Sequence, residues 1–158
     1  MDDELPEWSI PVSFCFGVKF GDTQVSFSEV KGIDVSMKVD PIRSGGDSFN
    51  CYYLPKSREY SDLVLSRGIL RKDDAFFTWC HETLVGGAQK DCIKLKDLIV
   101  FLMDEDHDPI KSWNFFDAYP VKWSLSDFNA MKNEIVVESV SIKYSSFVVL
   151  EEKKCRSK

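Results

Sequence analysis

From Val12 to Phe20 the chain alternates without a break, with Val12, Phe14, Phe16, Val18 and Phe20 on one side and Ser13, Cys15, Gly17 and Lys19 on the other. Side chains that recur at every second position share one face of an extended chain, whereas on a helix they would scatter around the axis. The run is therefore a half-buried strand. Gly21-Asp22 then forms a tight turn into Thr23, Val25 and Phe27, which alternate with Gln24, Ser26 and Ser28 and complete a β-hairpin. A third alternating run sets Ile33, Val35, Met37 and Val39 opposite Asp34, Ser36 and Lys38.

After Val39 the pattern breaks into turn formers from Asp40 to Ser48, and apolar residues return at Phe49, Tyr52, Tyr53 and Leu54. This is a long loop or a protruding hairpin. Leu63-Val64-Leu65 is a short buried strand closed by Arg67-Gly68. The spacing of Phe76, Trp79, Cys80, Thr83 and Leu84 then predicts one amphipathic helix, with Asp73 as its N-cap and Gly86-Gly87 as its stop. Leu98 to Met103 is apolar on both faces, as a strand buried on two sides would be. Further strands are expected over Ile110 to Phe115, around Tyr119, Val121 and Trp123, and over Ile135 to Tyr144 and Phe147 to Leu150, with a loop from Ser124 to Asn133.

These patterns predict a mainly β, barrel-like or sandwich-like domain with one flanking helix and a protruding loop or hairpin. Residues 12–150 form that single domain, residues 1–11 an N-terminal arm and residues 151–158 a charged tail. With 158 residues, 44% of them hydrophobic and 13% aromatic, the chain can build one packed core. Phe14, Phe16, Val18, Phe20, Phe76, Trp79, Trp113 and Trp123 are its expected members. Trp8, in an arm with no core to enter, is expected to touch a neighbouring subunit.

A net charge of -6 disfavours binding to phosphate backbones by simple electrostatics. No apolar run reaches the roughly 18 to 20 residues of a membrane-spanning helix, and Met1 to Pro11 carries acids where a signal peptide carries bases, so synthesis in the cytoplasm is expected. The five cysteines are odd in number and contain no C-x-x-C pair, which reads as reduced thiols. The acidic run Asp104-Glu105-Asp106-His107-Asp108 lacks the alternating acids, central glycine and distal Glu of a calcium loop, and fits a solvated turn. His81 and His107 are far apart and sit beside no nucleophile motif. Neither catalysis, a metal nor any cofactor is expected. The competing possibility is a monomeric ligand-binding sandwich or hydrolase whose pocket would gather Asp106, His107 and a tryptophan.

The stretch DEDHDPIKSWNFFDAYPVKW, Asp104 to Trp123, resembles the inner-tube proteins of contractile phage tails and of phage-tail-like extracellular injection systems. PVSFCFGVKF, VSFSEVKGIDVSMKV, YYLPKSREYSDLVLSRGI and NEIVVESVSIKYSSF agree with that family in order, so the resemblance spans about Pro11 to Phe147. Two places depart from it: His107-Asp108 stands where a glycine-containing turn is usual, and Ala88 to Leu95 is longer than typical. The resemblance implies a subunit whose copies close into hexameric rings that stack into a hollow tube. It also implies a contractile sheath outside, baseplate or hub and cap proteins at the ends, and cargo in the lumen of a particle released from bacteria. A tube-initiator or cap paralogue would share the fold. The loop of about Asp40 to Glu59, with Ile42, Arg43, Phe49, Tyr52, Tyr53 and Leu54, is then the expected contact between rings. The acidic balance suggests a negatively charged channel.

Overall fold

The computed structural model describes residues 15–43, 45–46, 49–68, 74–86, 93–127, 129, 131–132 and 134–150. Phe14 and Trp8 therefore lie outside the described residues, as do the arm, the tail and most of Ala88 to Leu95. Strands β1 (Cys15–Phe20) and β2 (Thr23–Phe27) pair antiparallel in the register Phe16 with Phe27 and Val18 with Val25. The turn between them places Gly21 at a φ of 56°. The chain continues through β3 (Glu29–Lys31), β4 (Val35–Arg43), β5 (Cys51–Tyr60), β6 (Leu63–Gly68), helix α1 (Ala75–Leu84), β7 (Lys96–Met103), β8 (Pro109–Leu125), β9 (Val137–Lys143) and β10 (Ser146–Leu150).

The large sheet runs β2-β1-β7-β8-β9-β6-β3, with β10 on β8. Its two ends are consecutive in the chain: β2 pairs with β1, β3 pairs with β6, and only Ser28 separates them. The Ser28 amide (2.9 Å) and hydroxyl (3.0 Å) both donate to the Ser66 carbonyl, so the path bends back on itself as a barrel. Closure satisfies edge groups that an open sheet would leave bare. The stretches 110–115 and 119–123, read as separate strands, are parts of one 17-residue strand, β8, bent where Asp117 takes a φ of 52°. It serves both halves of the barrel, pairing with β7 and β10 along its first part and with β9 along its second.

Alternation inward fills the barrel. Val18, Leu63, Leu65, Leu98, Val100, Phe115, Ala118 and Ile142 are fully buried, and Phe20, Val25, Phe27 and Val140 nearly so. Gly17 is buried because the Phe101 ring lies where a Cβ would stand, 2.3 Å away. Helix α1 closes one side with Phe76, Trp79 and Cys80, its stripe ending early at Leu84, which is exposed. The Trp79 indole donates to the Lys94 carbonyl (3.0 Å). The helix is capped by Asp74 rather than Asp73: Asp74 Oδ1 accepts from the Phe77 amide (2.8 Å), the third helical position, which is where a capping carboxylate must reach.

Two further expectations are corrected. Trp123 is not a core residue: it is 36% exposed, its ring against Phe77 and its indole nitrogen donating to Glu138 (2.8 Å). Phe16 and Trp113 are half-buried and pack against the core from its margin. On β7, Leu98 and Val100 are fully covered but Ile99, Phe101 and Leu102 only in part, so this chain alone does not bury the strand completely on both faces.

Candidate functional site

What the barrel leaves uncovered is the pair β4–β5, a two-stranded sheet of its own. The stretch read as a long loop or protruding hairpin is thus a hairpin, and it begins earlier, at Val35. Every residue of β4 and all of β5 but Tyr60 are exposed. Cross-strand partners share a face. Val35, Met37, Val39 and Pro41 lie on one face with Tyr60, Arg58, Pro55 and Tyr53, while Asp40 and Ile42 lie on the other with Leu54 and Tyr52. Val35, Met37 and Val39 are 49 to 50% exposed and Tyr52 and Tyr53 63%. The second face also carries two ion pairs, Lys38 with Glu59 (2.5 Å) and Lys56 with Asp40 (2.6 Å). The hairpin is therefore mainly apolar on one face, apart from its arginines, mixed on the other and solvated on both.

Its root is tightly held. Gly32 has a φ of 83°, and a Cβ there would stand 1.9 Å from the Asp62 carbonyl oxygen, so the chain entering the hairpin touches the chain leaving it. The Ser61 hydroxyl donates to Asp34, and Lys143 donates to Asp62 (2.6 Å), which raises the lysine's pKa. Tyr60 packs edge-to-face on Tyr144 (5.7 Å) and Phe147 (5.7 Å), and both of these rings pack on the fully buried Phe115 (4.8 and 5.4 Å). Burial, with the charges of Asp34 and Asp62 adding to it, pushes the Tyr144 phenol up to about 12. A line of aromatic contacts thus joins the arm to the core.

The sequence-predicted contact residues Ile42, Arg43, Phe49, Tyr52, Tyr53 and Leu54 are brought together by this hairpin and are all exposed. Val35, Met37 and Val39 were legible only as one face of a strand. The signal that they belong to the same surface is the turn-rich break after Val39, which gives their strand a hairpin partner but no place in the sheet.

The titratable groups suited to chemistry do not converge. Arg67 on β6, Glu138 on β9 and Asp74 before α1 form a buried network, Arg67 Nε to Glu138 at 3.1 Å and Nη1 to Asp74 at 2.5 Å. Burial opposes the guanidinium charge, and its hydrogen bonds to Asp74 and Glu138 outweigh that effect, so its pKa is raised. Both carboxylates are committed to structure: Glu138 also holds Trp123, and Asp74 caps the helix. Cys80 is buried beside them; burial, then the Glu138 charge, pushes its thiol up to about 12, far from a nucleophilic thiolate. His81 stacks on Phe77 at the surface. His107 sits in the acidic turn at a φ of 66°, so the left-handed geometry natural to glycine is kept by histidine. Asp104 ties that turn by accepting from the Asp106 and Asp108 amides (2.9 Å each). His107 lines a cavity with Lys19, Gln24 and Ser112 that includes neither Asp106 nor a tryptophan, so the gathering expected of a hydrolase is not formed there. Among the described residues no group of three or more His, Cys, Asp and Glu side chains is arranged to hold a metal.

Residues 12–148 match the family model described as T4-like virus tail tube protein gp19. No curated protein sequence matches the chain significantly. Among solved structures, the chain is similar to a chain in the structure of the anti-feeding prophage tube-terminating cap, with 25% identity, a TM-score of 0.77 and coverage of 96% of this chain and 97% of that one. A chain of the sheath-tube complex of the PVC extracellular contractile injection system shares its fold at 23% identity, TM-score 0.75, covering 92% and 93%. Hcp1 from Flavobacterium johnsoniae shares it more distantly, at 15% identity, TM-score 0.58, covering 85% and 94%.

Proposed function

We propose, from the premise that this chain belongs to the T4-like virus tail tube protein family and is a structural tube protein of a contractile injection system, that its copies close into six-membered rings. The β4–β5 hairpin of each copy then reaches the neighbouring ring, so that the rings stack into a hollow tube. One observation carries the second step: a hairpin solvated on both faces while presenting Val35, Met37, Val39, Tyr52 and Tyr53 to water. A lone two-stranded hairpin is marginally stable and an exposed apolar strand is an aggregation hazard, so a surface of this kind calls for a covering partner. A contact that closes makes a ring, and a second contact that does not close makes a tube. Obligate interfaces of this sort bury on the order of 2,000 Å² or more.

The work of such a protein is mechanical. Its proposed partners are its own copies, a sheath around the tube, baseplate and cap proteins at the ends and cargo in the lumen, with no catalysis and no sequence-specific nucleic-acid binding. Particles containing it would be assembled in the bacterial cytoplasm and released. The N-terminal arm, residues 1–11, is assigned to a neighbouring copy through Trp8. The likeness to a chain in the structure of a tube-terminating cap leaves room for a second reading, a tube-end paralogue of the same fold.

Electron microscopy of the purified chain separates these. Long stacks establish the tube subunit, and single rings that refuse to stack establish the tube-end paralogue. Deleting Ser44 to Ser48 should leave the barrel folded and abolish stacking; tubes of normal length from that variant refute the role of the hairpin.

A further inference from the structure

The arm and the body of this molecule meet at a joint more elaborate than a hairpin needs. Two connecting peptides touch at Gly32 and Asp62, where even a methyl group on Gly32 would overlap the Asp62 carbonyl oxygen at 1.9 Å. Tyr60, the last residue of the arm and its one half-buried member, packs on Tyr144 and Phe147, which stand on the fully buried Phe115. The Tyr144 hydroxyl points back at the Gly32 carbonyl at 3.5 Å, at the limit of a hydrogen bond. These contacts come from four separate segments of the chain and converge on one end of the hairpin.

We propose that Gly32, Tyr60 and Tyr144 are positioning residues that hold the β4–β5 hairpin at one fixed angle to the barrel before any neighbour binds, so that it docks as a preformed part. The proposal rests on the stacking reading above and goes beyond it, because a hairpin that stacked could equally order itself only on contact. A segment that orders on binding loses conformational entropy at that step, whereas one already fixed does not. For a polymer whose every ring repeats the same contact, a fixed arm also fixes the rotation and rise between rings. Edge-to-face ring pairs set direction as well as area, which makes them suited to holding an angle. The bulge opposite Met37 and Val39, just beyond the joint, bends the arm itself.

The native cysteines supply the probe. Cys15 on the barrel and Cys51 on the arm are exposed, and Cys80 is buried. In the full chain with Cys92 and Cys155 replaced by serine, spin labels on Cys15 and Cys51 report the arm-to-body distance by pulsed electron paramagnetic resonance, with labelled chain diluted into unlabelled. A single narrow distance distribution is expected before assembly. A broad one, narrowing only in tubes, overturns the proposal without any variant needing to fold. Tyr60→Ala should broaden the distribution about twofold and shorten or abolish tubes while the barrel melts as before, and Tyr60→Phe should restore both. Gly32→Ala should displace the mean distance and stop regular stacking. Tyr60→Ala with native distance and native tubes sinks the positioning role.

The paired variant Tyr52→Ala/Tyr53→Ala keeps the two claims apart. It should retain the narrow distribution and lose stacking. If it stacks normally the stacking reading fails, whatever the joint does; if it fails to stack while Tyr60→Ala stacks normally, only the joint is refuted.

Discussion

Two strands of this molecule carry nearly the same pattern and meet opposite fates. In β2, Val25 and Phe27 alternate with polar residues and are 6% and 3% exposed; in β4, Val35, Met37 and Val39 alternate just as regularly and are about half exposed. Alternation specifies that a strand has an apolar face and is silent about what covers it. In β2 the cover is the barrel's own interior, reached because the Gly21-Asp22 turn returns the strand along β1. In β4 the chain runs instead into the next strand, β5, and the pair forms a sheet apart from the barrel. The body builds its buried core within one copy, and the arm has no core of its own.

The contrast can be broken most forcefully in the body. Phe115→Ala removes a fully buried ring that supports both the barrel core and the root of the arm, and should cost about 4 kcal/mol, seen as a lowered urea midpoint. Met37→Ala in the arm should change the stability of the unassembled chain by no more than about 0.5 kcal/mol, yet reduce tube formation. Equal losses of stability from the two substitutions would mean that the arm is part of the core after all.

Next comes the polar seam inside the body. Glu138→Gln leaves Arg67 with Asp74 as its remaining ionic partner and weakens the hold on Trp123, and should destabilise by about 3 kcal/mol in chemical denaturation. This network is also where the sequence was least legible. Arg67 and Glu138 are 71 positions apart, and nothing in their local pattern marks two charges as buried; only the pairing of β6 with β9 sets Arg67 opposite Glu138. Separation in sequence also hid the closure of the barrel through Ser28 and Ser66, and a local bend hid the unity of β8, because Asp117 looks like a break between strands. By contrast the β1–β2 turn, the β6 strand and the stripe of Phe76, Trp79 and Cys80 depend on neighbours a few residues away, and those were readable. Trp123 looked like core because it alternates, and its exposure is set by tertiary structure.

The pH response should also come from the body and its joint. Cys80 and Tyr144 both have their pKa raised to about 12, from ordinary values of 9.0 and 10.0, because burial favours the neutral forms. The unfolded chain releases these protons first, so their stabilising contribution is intact below about pH 9 and drains away as the pH climbs toward 12, at up to about 1.4 kcal/mol per pH unit for each group. Denaturation curves taken from pH 8 to 11 should fall, and Cys80→Ala should flatten the fall between pH 9 and 10, where Tyr144 has barely begun to contribute. An unchanged slope would place the alkaline sensitivity elsewhere.

The smallest effect expected on the lone chain lies in the arm's own ion pairs. Lys56 and Asp40 are 2.6 Å apart, but both side chains are more than half exposed, and an exposed pair contributes at most about 1 kcal/mol because water and side-chain entropy offset its attraction. Lys56→Met, which keeps the aliphatic stem and removes the charge, should leave the melting temperature within error and should also leave the arm-to-body distance unchanged, since Lys56 takes no part in the contacts of the joint. Its effect, if the hairpin is covered by a neighbour, should emerge only in tubes: a surface salt bridge that is nearly neutral in water becomes an unpaired Asp40 once a neighbouring ring excludes solvent, and leaving one member of a buried pair uncompensated is costly. Tube stability toward denaturant should therefore drop where monomer stability does not. Equal and negligible changes in both would show that this face of the arm stays wet in the assembly, and would assign the contact to the opposite face, that of Val35, Met37 and Val39.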